Sequence, residues 1–266
     1  MPIGRKGICV FTDLLFSIEG LSNKRKCFAE VTHSGWRGGN SVTGRDVITV
    51  DGVGASGKSA LARLLAKRLG YGHLNSGLLY RAAGWLMIRS GVDPNDAEKV
   101  MLELSKHSIT LDKDVESKTI AFIDGVACGD ELHSSQVSIS ASLVARYQSV
   151  RDKFTNLQRE AFAPGGVVAE GRDMGTIIFP DARVKFFVDA RLEVRAGRRY
   201  EQLKGTPQEA TRAHISRDLA ERDARDVARS VAPAKPAPGA VIVDNSDRPL
   251  DEVVEAMYRV VTGRGE

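Results

Sequence analysis

Cysteine is scarce in this chain: three in 266 residues, at Cys9, Cys27 and Cys128. The number is odd, the spacing is wide, and no CxxC or Cys/His ligand pattern occurs. Neither a disulfide framework nor a zinc site is implied, and a reducing, cytoplasmic setting is expected. No run of 18 apolar residues occurs, so no membrane-spanning helix is expected. An excess of one charge sign is missing where a nucleic-acid partner would need it. The formal net charge is +4, but residues 1–45 hold seven of the 38 Lys/Arg and three of the 34 Asp/Glu. Residues 46–266 therefore carry 31 of each and are neutral overall, which argues against general attraction to nucleic acid. Local arginine clusters remain, and those suit small phosphorylated ligands. There is no internal repeat.

Residues 1–45 differ from the rest of the chain. ICVFTDLLFSI after a basic start imitates a secretory signal, but Asp13 interrupts the apolar run and no small-residue cleavage site lies beyond it. Ser34 to Gly44 reads as a loop or linker. The expectation is a poorly ordered extension, with translation starting downstream of it as one version of that reading. Mass spectrometry finding a native N-terminus at Met1 would remove that version.

From Val47 the pattern alternates. VITVDG is a short buried strand rich in β-branched residues, and Ser59–Leu69 is a helix with Leu61, Leu64, Leu65 and Leu69 at helical spacing, stopped by Gly70. Further helices are expected at Leu78–Arg89, Ala97–Lys106, Ser138–Ala163 (broken near Tyr147), Leu192–Leu203 and Pro207–Ala228. Gly166–Ala169, Val184–Val188 and Ala240–Val243 read as buried strands. This alternation predicts an α/β fold, with a parallel sheet and helices on both faces. Ser108–Asp124 breaks the pattern: SITLDKD and KTIAFIDG look like antiparallel strands, so a small β insertion is expected there.

GVGASGKS, Gly52 to Ser59, matches G-x-x-x-x-G-K-[ST] between a strand and a helix. Glycines let the backbone wrap closely around phosphate oxygens, and amides at the helix N-terminus point at anionic charge. Gly52, Gly54, Ala55, Ser56, Gly57, Lys58, Ser59 and Ala60 are the candidate ATP-binding residues. Lys58 supplies a mobile point charge for the β/γ-phosphates, and Ser59 offers a hydroxyl to Mg²⁺. The motif establishes a nucleoside-triphosphate site but not the second substrate. No NKxD guanine signature is present. The later arginine groups favour a kinase acting on a second phosphorylated ligand.

The ordered series GxxxxGKS, NSGLLYR (Asn75–Arg81), EGRDMGTIIFPDA (Glu170–Ala182), RAGRR (Arg195–Arg199) and ERDARDVAR (Glu221–Arg229) resembles the bacterial cytidylate kinase family, from about Val47 to the C-terminus. The resemblance implies ATP-dependent phosphorylation of CMP and dCMP with Mg²⁺; a monomer with no nucleic-acid or membrane partner is expected. It implies a P-loop NTPase-type three-layer fold in residues 46–266: a core (46–106 and 165–266), a β-containing monophosphate-binding insertion (about 107–164) and a mobile helical lid (about 195–230). Arg81 and Arg172 would hold the acceptor phosphate, and Ser76 would line its pocket. Ser142, Arg151 and Asp173 would read the cytosine edge. Arg198 would close on the transferring phosphoryl group, with Arg199 beside it on the ATP side. Glu170 is the candidate acidic residue near the metal. Asn75 stands where the family often has aspartate; if the charge matters, Asn75→Asp raises turnover. Tyr80 reads as packing, and His73, His107, His133 and His214 as structural or exposed.

The residue chemistry fits independently. Phosphoryl transfer between two anionic nucleotides needs positioning and charge neutralisation more than covalent help. Arginine's planar fork binds phosphate in bidentate fashion. In ERDARDVAR, helical spacing gathers Arg222, Arg225, Asp226 and Arg229 on one side and Ala220, Ala224, Val227 and Ala228 on the other. The small apolar face is expected to pack on the protein and the charged face to enter the cleft. By resemblance, Asp226 reads ribose hydroxyls beside Arg222, Arg229 reaches phosphate, and Arg225 serves the donor side. Two rival readings stay open: another small P-loop kinase, acting on AMP, UMP or a phosphorylated metabolite, and a nucleic-acid-binding NTPase.

Overall fold

The computed structural model describes residues 46–113, 119–161, 165–206 and 209–263. The expected N-terminal extension lies outside the described residues.

β1 (Val47–Gly52) leads into α1 (Lys58–Leu69), β2 (Gly72–Asn75), α2 (Gly77–Ser90) and α3 (Ala97–Ser105). Then come β3 (Ile109–Lys113), β4 (Thr119–Ile123), β5 (Val126–Ala127), α4 (Ser135–Val144) and α5 (Gln148–Glu160). The chain continues through β6 (Val167–Gly171), β7 (Val184–Asp189), α6 (Leu192–Leu203), α7 (Arg212–Ala228), β8 (Val241–Asp244) and α8 (Leu250–Thr262). The main sheet has the order β2-β6-β1-β7-β8 with every pairing parallel. The small sheet β3-β4-β5 is antiparallel, as the hairpin pattern predicted.

β1 and β6 are buried along their whole length, which is why they read as continuous apolar runs. Ile48, Val50 and Val168 join Leu61, Leu65, Val253 and Met257 in one cluster, so α1 and α8 cover one sheet face. Val47, Leu74, Val167 and Ala169 point the other way, against Met174, Ile178 and Phe179 from the π-helical turn after β6. A separate cluster is built around α2: Leu79, Ala83 and Met87 pack with Val100, Leu104, Ile123, Val144 and Phe154. The segment carrying the small sheet therefore shares its core with α2 and α3. A fourth, minor cluster joins α6 to α7 through Ala196, Leu203, Ile215 and Leu219.

The elements depart from expectation at identifiable places. The helical stretch expected over 138–163 is divided near Tyr147 into two helices, as expected, but it starts earlier. The first begins at Ser135, capped by the Ser134 hydroxyl accepting from the Val137 amide, and the chain leaves helical geometry at Tyr147. α7 starts at Arg212 rather than Pro207, because the Thr211 hydroxyl caps it by accepting from the His214 amide. β2, β5 and α8 have no counterpart among the elements expected from sequence.

Candidate active site

The P-loop is the connection from β1 to α1, and its shape follows from backbone crowding. A Cβ at Gly52 would sit 2.0 Å from the Val188 carbonyl oxygen, and φ there is +152°. Gly52 thus lets β1 lie against β7, and it does not line the cavity described below. Gly57 takes φ +87° to launch α1. The loop is laced internally: the Ser56 hydroxyl donates to the Val53 carbonyl at 3.1 Å, and Lys58 Nζ to the same oxygen at 3.3 Å. Ser56 is fully buried and does not line that cavity either, so its side chain is a brace.

The loop opens onto a cavity of about 1120 Å³. Gly54, Ala55, Gly57, Lys58, Ser59 and Ala60 line its donor end. Ser76, Arg81, Ser142, Arg151, Glu170, Arg172, Asp173, Arg198, Arg199, Arg222, Asp226 and Arg229 line the rest. Of the candidate site residues named from sequence, only Gly52, Ser56 and Arg225 stay off its wall.

Asp226 is the centre of the cavity's arginine cluster. It is 2% exposed, and its carboxylate accepts from the Ser142 hydroxyl at 2.8 Å, Arg229 Nη2 at 2.5 Å and Arg172 Nε at 3.2 Å. Arg222 Nε stands 3.8 Å away. Burial pushes its pKa up, but Arg172, Arg229 and Arg222, with the Ser142 bond, outweigh that and hold it at about 2. The neighbouring cations are crowded. Burial, and then Arg222, Arg199 and Arg172, bring Arg81 down to about 9; burial and then Arg172 bring Arg222 down to about 10. The Nε atoms of Arg222 and Arg229 are buried without a hydrogen-bond partner. A group of cations that depress one another and keep unused donors is a site shaped for an anion.

Arg172 and Asp173, adjacent in sequence, diverge: Arg172 goes to Asp226, while Asp173 pairs with Arg151. Arg151 also donates to the Ala145 carbonyl at 3.1 Å, and its guanidinium lies over the Tyr80 ring at 5.3 Å. Tyr80 in turn meets Phe154 edge-on at 5.4 Å, the packing role expected of it. Ser142 on α4 and Arg151 on α5 both line the cavity. Arg81 donates to the Leu132 carbonyl at 2.6 Å, and the Ser76 hydroxyl donates to the Glu170 carbonyl at 2.7 Å.

At the donor end, the Ser59 hydroxyl donates to Glu170 Oε2 at 2.6 Å, while His73 Nε2 lies 3.1 Å from Oε1. Glu170 is 1% exposed. Burial raises its pKa, but His73, Lys58 and Ser59 outweigh that and leave it lowered, so it stands as a carboxylate. Burial, then Arg172, lowers Lys58 to about 7, against a raising pull from Glu170. No group of three or more His, Cys, Asp or Glu in metal-holding arrangement occurs among the described residues. The Ser59–Glu170 pair nevertheless fits Mg²⁺, which takes hard oxygen donors and completes its shell with water and substrate phosphates.

Arg198 donates to the Ser56 carbonyl at 3.3 Å and the Asn245 carbonyl at 2.6 Å, and Arg199 donates to the His133 carbonyl at 2.8 Å. In α7 the charged face enters the cavity as expected, but the small apolar face does not pack on the protein. Ala220, Ala224, Val227 and Ala228 are all exposed; the buried stripe is Ile215, Leu219 and Asp226. The charged face packs inward because Arg172 and Ser142, distant in sequence, satisfy Asp226. Arg225 turns back to the Glu221 carbonyl at 3.3 Å. Sequence reasoning missed Asp51, Asp223 and Asn245 and undervalued His73. Asp223 was readable only as another charge in a charged run. No helix of the described residues is long and apolar enough to cross a membrane.

The family model for cytidylate kinase matches residues 48–263. The chain is 40% identical over 220 residues to a cytidylate kinase of Pelotomaculum thermopropionicum, with 82% of this chain and 97% of that one aligned. It is 39% identical to a cytidylate kinase of Azotobacter vinelandii, covering 82% and 96% of the two chains. With a cytidylate kinase of Burkholderia pseudomallei the identity is 42%, covering 80% and 92%. On the strength of that near-complete match, the chain belongs to the cytidylate kinase family.

Proposed function

We propose that the chain transfers the γ-phosphoryl group of ATP to CMP or dCMP, giving ADP and CDP or dCDP. The observation that carries this reading is one cavity with a P-loop at one end and, at the other, a guanidinium cluster beside the Ser142, Arg151 and Asp173 side chains. In this reading the acceptor phosphate oxygen attacks the γ-phosphorus as the bond to the β,γ-bridging oxygen breaks. Lys58 and the amides at the start of α1 hold the donor phosphates. Arg81, Arg172 and Arg229 hold the acceptor phosphate, and Arg198, with Arg199 beside it, closes from the donor side on the transferring phosphoryl group. Arg222 sits between the two and neutralises charge in flight.

Asp226 takes the sugar hydroxyls in exchange for part of its present hydrogen bonding. Ser142, Arg151 and Asp173 offer donors and acceptors to the cytosine edge. Ser59 and Glu170 would hold Mg²⁺, which supplies neutralisation of the β- and γ-phosphate oxygens. Residues 107–164 serve as the acceptor-binding arm and 195–230 as the lid, with the protein working as a cytoplasmic monomer. Phosphorus NMR of the protein with ATP, Mg²⁺ and CMP tests the reaction: CDP and ADP accumulating in equal amounts supports it, and inorganic phosphate as the sole product contradicts it.

A further inference from the structure

Gly54, in the middle of the phosphate loop, has both backbone polar groups taken by residues from far along the chain. Its amide donates to Asp223 Oδ1 at 3.2 Å, and its carbonyl accepts from Arg195 Nη1 at 3.1 Å. Arg195 and Asp223 are themselves an ion pair, with side chains only 9% and 16% exposed. Arg195 Nε is anchored separately to the Ala190 carbonyl, at 2.8 Å and just before α6. A pair of side chains from α6 and α7 therefore grips one residue of the loop by its amide and its carbonyl, which belong to successive peptide units.

The placement of Asp223 gives the grip a consequence. Its immediate neighbour Arg222 and the next-turn Asp226 face the acceptor end of the cavity, whereas Asp223 faces the phosphate loop. A Cβ on Gly54 would lie 3.5 to 3.7 Å from Leu219, Asp223 and Arg172, so Arg172 and α7 come close to the loop there. One turn of α7 thus contacts both ends of the cavity. We infer that Asp223 and Arg195 are positioning residues that hold the phosphate loop in register with the acceptor-binding turn of α7. Neither touches substrate in this role. They set where the γ-phosphoryl group lies relative to the acceptor oxygen, and Asp223, rather than Arg225, is the donor-side residue of ERDARDVAR. This inference rests on the kinase reading above and adds residues to it.

The test uses the full chain with Asp223→Asn and Arg195→Lys. Asparagine keeps an oxygen for the Gly54 amide but removes the charge facing Arg195. Lysine keeps the charge, but one ammonium cannot serve Asp223 and the Gly54 and Ala190 carbonyls together. Because misplacement of about 1 Å costs on the order of a hundredfold in rate, kcat should fall about tenfold or more in Asp223→Asn and less in Arg195→Lys. The KM for CMP should stay within about twofold, since the Asp226 contacts are untouched. An unchanged kcat overturns the inference. So does a fall that comes with a matching rise in the KM for CMP, which marks a merely structural pair. Should Asp223→Asn not fold, Arg195→Lys alone carries the comparison. Calorimetry with the imido analogue of ATP separates this inference from the kinase reading. If the wild-type chain phosphorylates no monophosphate, that reading fails, while about tenfold weaker analogue binding by Asp223→Asn still upholds the grip on Gly54 and unchanged binding removes it.

Discussion

Replacing Asp226 by asparagine removes one negative charge from the centre of a buried cationic cluster. In the native chain that carboxylate faces Arg229 at 2.5 Å, Arg172 at 3.2 Å and Arg222 at 3.8 Å. Breaking a buried charge pair by removing one partner costs roughly 3–5 kcal/mol, because the remaining charge stays desolvated. For a domain of this size about 1 kcal/mol moves Tm by roughly 2–4 °C, so a fall of about 6–20 °C is expected by calorimetry at low salt. The sign of the pH effect follows from the lowered pKa. Asp226 titrates at about 2 rather than 3.8, so its contribution is fully present above the unfolded value and is lost as pH falls through about 2. At 1.36 kcal/mol per unit that contribution is about 2 kcal/mol, and the variant should lose that part of the acid dependence. The KM for CMP should rise far more than the KM for ATP. A Tm within about 2 °C of wild type, or equal effects on both KM values, would refute the role given to this carboxylate.

Three further outcomes are expected from the site. ATP binding near pH 7.5 should take up about half a proton or more, because Lys58 titrates at about 7 and bound phosphates raise it. Calorimetry in buffers of different ionisation heat reads this, and Lys58→Met should abolish it. Asp51, 2% exposed beneath the loop, accepts from the Met174 and Gly175 amides at 2.9 and 2.8 Å, yet burial raises its pKa to about 7 despite those bonds. A raised carboxylate pKa means that stability is lost as pH climbs from the unfolded value towards 7. Asp51→Asn should flatten that slope in denaturant titrations, and an unchanged slope would contradict the assignment. Asn75 lines the cavity and is paired in register with Glu170; Asn75→Asp should raise kcat in a coupled assay, and equal or lower turnover would show that the charge is not needed there.

What could be read from sequence was mostly local. GVGASGKS announces its loop because strand, glycines and helix lie within a few residues of one another. β2 escaped because four residues, GHLN, carry no alternation; only pairing with β6 makes them a strand. α8 had a usable signal in Val253, Val254, Met257 and Val261, which share one buried face. The cavity residues were found by motif, but their partnerships were not. Asp226 with Arg172, or Gly54 with Asp223 and Arg195, are separated by 54 to 169 residues. For the same reason only half of the α7 reading held: its charged face does line the cavity, but the alanine face is exposed, because an apolar-stripe argument cannot see that Arg172 and Ser142, from elsewhere in the chain, bury Asp226.

The central claim is that the acceptor end of the cavity selects a cytosine monophosphate. The direct measurement is kcat/KM with ATP and Mg²⁺ for CMP, dCMP, UMP and AMP on the same preparation. A site built to hydrogen-bond the base edge rejects analogues that leave its buried groups unpaired. CMP and dCMP should therefore exceed UMP and AMP by at least about tenfold. A preference for AMP or UMP, or no discrimination among the four, would contradict the account.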